Sequence, residues 1–117
     1  MRKVEIGTSK YTQIFSEPSK EFNCYHLYTV EPTDPQERDC FADIKFQKGP
    51  IKECGVNGCH NEDLIAIVID RLQSFQESSF KCKENAMAIT KLEEALLWLN
   101  KRTQNRRAKG IEGTSKI

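Results

Sequence analysis

The chain has 117 residues, of which 38% are hydrophobic and 30% charged, and its formal net charge is +1. That length suits one domain with a modest core, burying roughly 65% of its unfolded surface. No apolar run approaches the ~20 residues of a membrane span and Met1 to Lys10 lacks the apolar centre of a signal peptide, so the expectation is a soluble intracellular protein with no membrane partner.

The near-neutral total hides an asymmetry. Residues 101–117 carry Lys101, Arg102, Arg106, Arg107, Lys109 and Lys116 against Glu112, a balance of +5 that leaves −4 on the rest. Such a cationic end points to an anionic partner, although cations in the last turns of a helix also meet its dipole favourably.

In chain order, short strands are expected at Lys3 to Ile6 and Tyr11 to Phe15. The strongest strand pattern is Phe22 to Val30, where Phe22, Cys24, His26, Tyr28 and Val30 alternate with Asn23, Tyr25, Leu27 and Thr29. Pro32 and Pro35 interrupt a polar stretch from Glu31 to Asp39, and a second alternating run follows from Phe41 to Gln47 with Ala42, Ile44 and Phe46 on one face. These two runs are expected to pair antiparallel, within a sheet covering residues 1–57. The connector GPIKECGVNG contains glycines that permit positive φ and close backbone approach.

Residues 58–117 read as a helical hairpin. Asn61 is the expected N-cap of the first helix, with Glu62 and Asp63 in its first turn and an apolar stripe of Leu64, Ile65, Val68, Ile69, Leu72 and Phe75. The second helix is expected from about Lys83 to Lys109, with Gly110 terminating it. Its stripe of Ile89, Leu92, Leu96 and Leu99 continues into Arg102 and Arg106, while Leu97 and Trp98 form a second apolar face. The second helix outruns the first by about ten residues, roughly 15 Å, which invites another protomer as cover. The fold class is therefore α+β, an N-terminal antiparallel β-sheet followed by a C-terminal two-helix antiparallel hairpin, in an oligomer.

The chemistry is that of a binder. Five cysteines at irregular spacing suit reduced thiols. Cys54 and Cys59 stand at loose zinc-ligand spacing, but no second ligand pair follows, so no metal is expected. His26 and His60 lack nucleophile partners, Glu93 and Glu94 point to different helix faces, and no Walker loop occurs, so neither an enzyme nor a cofactor is expected. What remains are aromatics, amides or hydroxyls, and guanidinium groups: Phe22, Tyr25, Phe75, Phe80, Asn85, Thr90, Arg71, Arg102, Arg106 and Arg107. Aromatic rings stack on bases and arginine forks pair with phosphates.

The segments IKFQKGPIKECGVNGC, NEDLIAIVIDRLQSFQ, FKCKENAMAITKLEEALLWLNKRT and RRAKGIEGTSK resemble the phage Thoeris anti-defence sponge family, which shares its helical hairpin with phage anti-CBASS sponges. The resemblance is strongest from Ile44 to Lys116. It implies a symmetric oligomer, a hexamer, acting in the cytoplasm of the infected bacterial host. It also implies that cyclic nucleotide immune signals are sequestered without being degraded: glycocyclic ADP-ribose of Thoeris, and cyclic di- or trinucleotides of CBASS in a second pocket. Carried onto this sequence, it places Phe80 and Thr90 at the adenine and ribose and Arg102, Arg106 and Arg107 of a neighbouring protomer at the phosphates. Phe22 or Tyr25 then closes the other base face. The sequence departs from the family in having Thr90 where other members can carry an amide. The alternative is a small regulator that binds nucleic acid through the basic C-terminal helix, although the acidic remainder of the chain opposes a polyanion.

Overall fold

The computed structural model describes residues 1–7, 10–37 and 39–117. Two compact units make up the chain, Met1–Cys59 and His60–Ile117.

The first unit is a meander of four antiparallel strands in the order of the chain: β1 (Arg2–Val4), β2 (Thr12–Ser16), β3 (Leu27–Pro32) and β4 (Ala42–Lys45). Register places Val4, Ile14, Val30 and Ala42 in one cross-strand row, and Arg2, Ser16, Tyr28 and Ile44 in the next row of the same face. Side chains on one face of a sheet stabilise each other through such rows. The alternation expected in the fourth strand is observed, with Ala42, Ile44 and Phe46 half-buried and Asp43 and Lys45 exposed. Phe46 meets Tyr28 edge to face at 5.6 Å between ring centres. Ser16 is only 1% exposed and its hydroxyl is satisfied, accepting from Arg2 Nε at 2.9 Å and donating to the Glu17 carbonyl at 2.9 Å.

The strand expected from Phe22 to Val30 begins five residues later, at Leu27. Phe22 and Asn23 instead form the centre of a two-residue turn with φ of 47° and 73°, closed by paired backbone hydrogen bonds between Glu21 and Cys24 at 3.1 and 3.2 Å. Alternation of side chains does not reveal such a turn. The clue is Asn23, a residue type that tolerates left-handed backbone, whereas a phenylalanine there is uncommon. Beyond it, the backbone N–H groups of His26 and Leu27 both donate to the Glu17 carboxylate at 3.0 Å, while their carbonyls accept from Phe46 N at 2.8 Å and Glu17 N at 3.3 Å, so a side chain supplements the strand pairing here.

Between the units' regular elements lies a four-residue helix, α1 (Ile51–Cys54), which the reading of the connector as a glycine-rich loop did not include. Gln47 and Asn57 clamp this segment. The Gln47 amide donates to the Gly49 and Gly55 carbonyls at 3.1 and 2.8 Å, and Asn57 exchanges two hydrogen bonds of 2.8 Å with the Lys48 backbone. The close backbone approach expected here occurs at Gly58. A Cβ at that position would lie 2.4 Å from the Phe46 carbonyl group and 2.7 Å from Gln47 N, backbone atoms that cannot yield cheaply. Gly58→Ala should therefore disrupt the bridge between Phe46 and Cys59. A loss of about 1–3 kcal/mol is expected, read as a Tm lowered on the order of 10 °C.

In the second unit, α2 (Asn61–Gln76) and α3 (Lys83–Ala108) form the helical hairpin. The N-cap is His60, one residue before the expected Asn61. Asp63, three residues on, supplies the reason: its carboxylate accepts the His60 backbone N–H at 2.8 Å. Gln76 closes the turn, its amide exchanging hydrogen bonds of 3.0 Å with both backbone groups of Cys82.

Ile69 is the buried apolar residue of the seam, 8% exposed, with Leu64, Ile65 and Leu72 half-buried beside it. Val68 and Phe75, expected in the same stripe, are exposed, because the seam follows a narrower line than the full apolar arc of α2. On α3 the half-buried line is Asn85, Ile89, Leu92, Leu96, Leu99, Thr103 and Arg106. Spacings of three and four keep these residues on one face. Thr103, not Arg102, thus continues the seam, and Arg102 is exposed on the adjoining face. Helix α3 has 26 residues against 16 in α2, as the overhang requires. Gly110, at φ 71°, ends it with hydrogen bonds from Gly110 N to Arg107 O and from Ile111 N to Arg106 O, both 3.0 Å.

Candidate functional site

The cationic end of α3 builds a groove. Trp98, Arg102, Asn105 and Lys109 recur at spacings of four, three and four, which aligns them along one side of the helix, with Lys101 and Arg106 flanking. Together with Ile117 they line a space of about 420 Å³. The Trp98 ring is 63% exposed, and the Lys101 ammonium stands 5.3 Å above its centre. Among the described residues, no carboxylate lies in ion-pair range of Lys101, Arg102, Arg107 or Lys109; the ion pairs present join Lys48 to Glu21, His60 to Asp63 and Lys91 to Glu94. An aromatic face beside unneutralised cations can take a flat ring system bearing negative charge.

Arg106 has a different task from Arg102. One guanidinium nitrogen donates to the Ile111 carbonyl at 3.2 Å and to the Thr114 carbonyl at 3.0 Å. It binds the tail that follows α3 back onto the helix end, making one wall of the groove. Arg107 is exposed and lies outside the groove lining.

The other expected residues occupy separate places. Phe80, 76% exposed, stands at the hairpin turn, where its backbone N–H donates to the Ser78 hydroxyl at 3.1 Å. Asn85 and Thr90 follow on the first turns of α3, Asn85 half-buried on the seam and Thr90 exposed with its hydroxyl donating to the Ala86 carbonyl at 3.1 Å. Arg71, on α2, places its guanidinium 5.3 Å over the Phe75 ring. Helix α3 is roughly 40 Å long, so Phe80 and the Arg102 groove of one chain are too far apart to share one small ligand.

In the first unit, Phe22 is presented by its left-handed turn, and its ring edge lies close enough to Gly49 that a Cβ there would approach it to 3.2 Å. The Lys48 ammonium secures the same turn at 2.6 Å from the Glu21 carboxylate. That hydrogen bond, reinforced by the lysine charge, holds the Glu21 pKa below the usual carboxylate range. A carboxyl with a depressed folded-state pKa stabilises above its unfolded value, so this clasp is complete at neutral pH and is lost as acid protonates Glu21. Tyr25 is already engaged, with the Arg2 guanidinium 3.6 Å over its ring and the Lys20 ammonium at 5.6 Å. Buried His26 donates from Nε2 to the Glu21 carbonyl at 2.6 Å, with Cys24 Sγ within 4 Å of its ring nitrogens.

Trp98, Lys101, Asn105 and Lys109 were not among the individual ligand contacts expected from the sequence, although Lys101 and Lys109 belong to its cationic end and Trp98 to its second apolar face. The signal was present in the four-three-four spacing from Trp98 to Lys109, but Trp98 was grouped with Leu97 as an apolar contact face. Among the described residues, no helix is long and apolar enough to cross a membrane.

Comparison with known proteins adds two findings. The family model described as the Acb2/Tad1 hairpin domain matches residues 38–104, more than half of the chain. Thoeris anti-defense 1 of Bacillus phage SBSphiJ7 is 46% identical over 135 aligned residues, covering 96% of this chain and 95% of that protein.

Proposed function

The chain belongs to the Acb2/Tad1 hairpin-domain family, and on that footing we propose that it is a phage anti-defence protein that binds cyclic nucleotide immune signals and withholds them from their effector without cleaving them. The relative named Thoeris anti-defense 1 supports Thoeris as the defence system opposed, and glycocyclic ADP-ribose, the signal the sequence resemblance implies, is the first ligand to consider. Cyclic di- and trinucleotides of CBASS are the second. The site of action is the cytoplasm of the infected host.

The observation that carries this reading is the unneutralised cationic end of α3, beside an exposed indole in a groove of about 420 Å³. Small-molecule sites fall in that size range, and arginine forks recognise phosphate oxygens in pairs. In the assembled protein, a hexamer, Phe80 and Thr90 of one protomer meet the adenine and ribose while the α3 end of a neighbour meets the phosphates. The length of α3 supports such sharing, since no single chain brings its two ends together. Phe22, held out by its strained turn, or Tyr25 closes the base from the sheet, with Asn85 and Arg71 as further polar contacts.

Sedimentation velocity and equilibrium dialysis against glycocyclic ADP-ribose, cyclic dinucleotides and cyclic trinucleotides test the proposal together. An oligomer retaining at least one ligand at submicromolar concentration is the expected result. Retention of none, with salt-sensitive binding of duplex DNA or RNA instead, would replace it with a nucleic-acid-binding role.

A further inference from the structure

We propose that Cys24 is a thiol–disulfide exchange site, at which the buried His26 imidazole takes the thiol proton and a low-molecular-weight disulfide is the reaction partner. The site lies wholly within the first unit and does not depend on nucleotide binding.

The sequence offered His26 no nucleophile partner; the turn at Phe22 and Asn23 supplies one. It returns the chain so that Cys24 Sγ lies 3.8 Å from His26 Nδ1 and 3.9 Å from Nε2. The Glu21 carbonyl fixes both residues, accepting from Cys24 N at 3.2 Å and from His26 Nε2 at 2.6 Å. A carbonyl can only accept, so Nε2 carries a proton and the neutral ring keeps its lone pair on Nδ1. His26 is 5% exposed, and among the described residues Cys24 Sγ is the hydrogen-bond partner that Nδ1 has. A nucleophile, a base and a group that orients the base therefore stand together, the arrangement that activates a thiol. Cys24 is exposed, so a disulfide can reach the sulfur while the imidazole behind it is shielded from water.

The other cysteines lack this set. Cys40 Sγ donates to the Ala42 carbonyl at 3.1 Å, an acceptor that cannot remove its proton. Among the described residues, the imidazole contacts of a thiol are those of Cys24. Cys40, Cys54 and Cys82 are exposed as Cys24 is, so exposure alone does not separate the four.

In the exchange, His26 Nδ1 accepts the Cys24 proton as Sγ attacks one sulfur of a disulfide RSSR. The bond from Cys24 Sγ to that sulfur forms as the S–S bond of the reagent breaks, and the departing RS⁻ takes the proton from the imidazolium and leaves as RSH. One disulfide is consumed and one is made, so the reagent is the whole of the oxidant. The reaction is a stoichiometric modification and not a turnover.

The test treats the reduced full-length protein with a limiting amount of oxidised glutathione, quenches in acid and locates the adducts by peptide mass. Cys24 is expected to react about 10-fold or more faster than Cys40, Cys54 and Cys82. His26→Gln, which removes the base, should slow Cys24 to within about threefold of those thiols, with circular dichroism unchanged. Reaction of Cys24 at the rate of the other exposed thiols, or a fast rate that survives His26→Gln, would overturn the proposal. If His26→Gln does not fold, the ranking of thiols within the unaltered protein decides alone. Either result leaves the sequestration reading where it stands.

Discussion

Arg102→Glu is expected to weaken retention of glycocyclic ADP-ribose by at least about 100-fold while leaving the fold intact. Arg102 is exposed, carries no structural hydrogen bond to the tail of the kind Arg106 makes, and has no ion-pair partner among the described residues. Its removal therefore leaves no buried group unsatisfied. A glutamate there would draw Lys101, Arg106 and Lys109 toward itself and present negative charge to a phosphate. Truncating one partner of a hydrogen-bonded charge pair costs about 2–5 kcal/mol, and like charges add to the loss. At about 1.4 kcal/mol per decade, the lower end of that range is roughly 30-fold, and the added repulsion carries the loss to about 100-fold or more. Arg102→Lys should lose less, roughly 10-fold, because an ammonium keeps the charge but not the bidentate fork. Equilibrium dialysis at fixed ionic strength measures both, with circular dichroism confirming the helical content. Unchanged affinity in Arg102→Glu would remove this end of α3 from the site.

Ile69→Ala is expected to be the most damaging conservative change to the hairpin. Ile69 is 8% exposed, whereas the side chains flanking it on α2 are half-buried or exposed. Deleting three carbons there forfeits burial and leaves a void between two helices that cannot fully collapse, at a cost of about 2–5 kcal/mol. Against a total stability on the order of 5–15 kcal/mol, this is a large share, and Tm should fall by roughly 10–20 °C. Leu97→Ala makes the contrast. Leu97 is 70% exposed in the single chain, so its loss should cost within about 0.5 kcal/mol unless another protomer covers it. A Tm that drops on Leu97→Ala and also rises with protein concentration would show that cover.

The hairpin was legible in the sequence because its signals are local and redundant. Apolar spacing of three and four, Asp63 beside the start, and Gly110 beyond the last turn each mark it independently, and the observed helices differ from expectation by a residue at the ends. The four-strand antiparallel sheet was legible in outline for the same reason, most clearly at Ala42, Ile44 and Phe46. Two features were not. The turn at Phe22 and Asn23 is disguised by perfect alternation, and it is the Glu17 carboxylate and the Glu21–Lys48 pair, distant in sequence, that sustain it. The division of labour among the arginines was also hidden, since composition cannot distinguish Arg102, turned to solvent, from Arg106, bonded to carbonyls five and eight residues on.

The measurement closest to the central claim is recovery of the signal. The full-length protein is incubated with glycocyclic ADP-ribose and with cyclic di- and trinucleotides, freed of unbound ligand by filtration, denatured by heat, and the released material identified by chromatography and mass. Sequestration predicts ligand depleted from the filtrate and returned intact, in fixed ratio to protomer. Ligand that passes freely through the filter, or that returns chemically altered, would contradict it, the first outcome by denying binding and the second by showing catalysis.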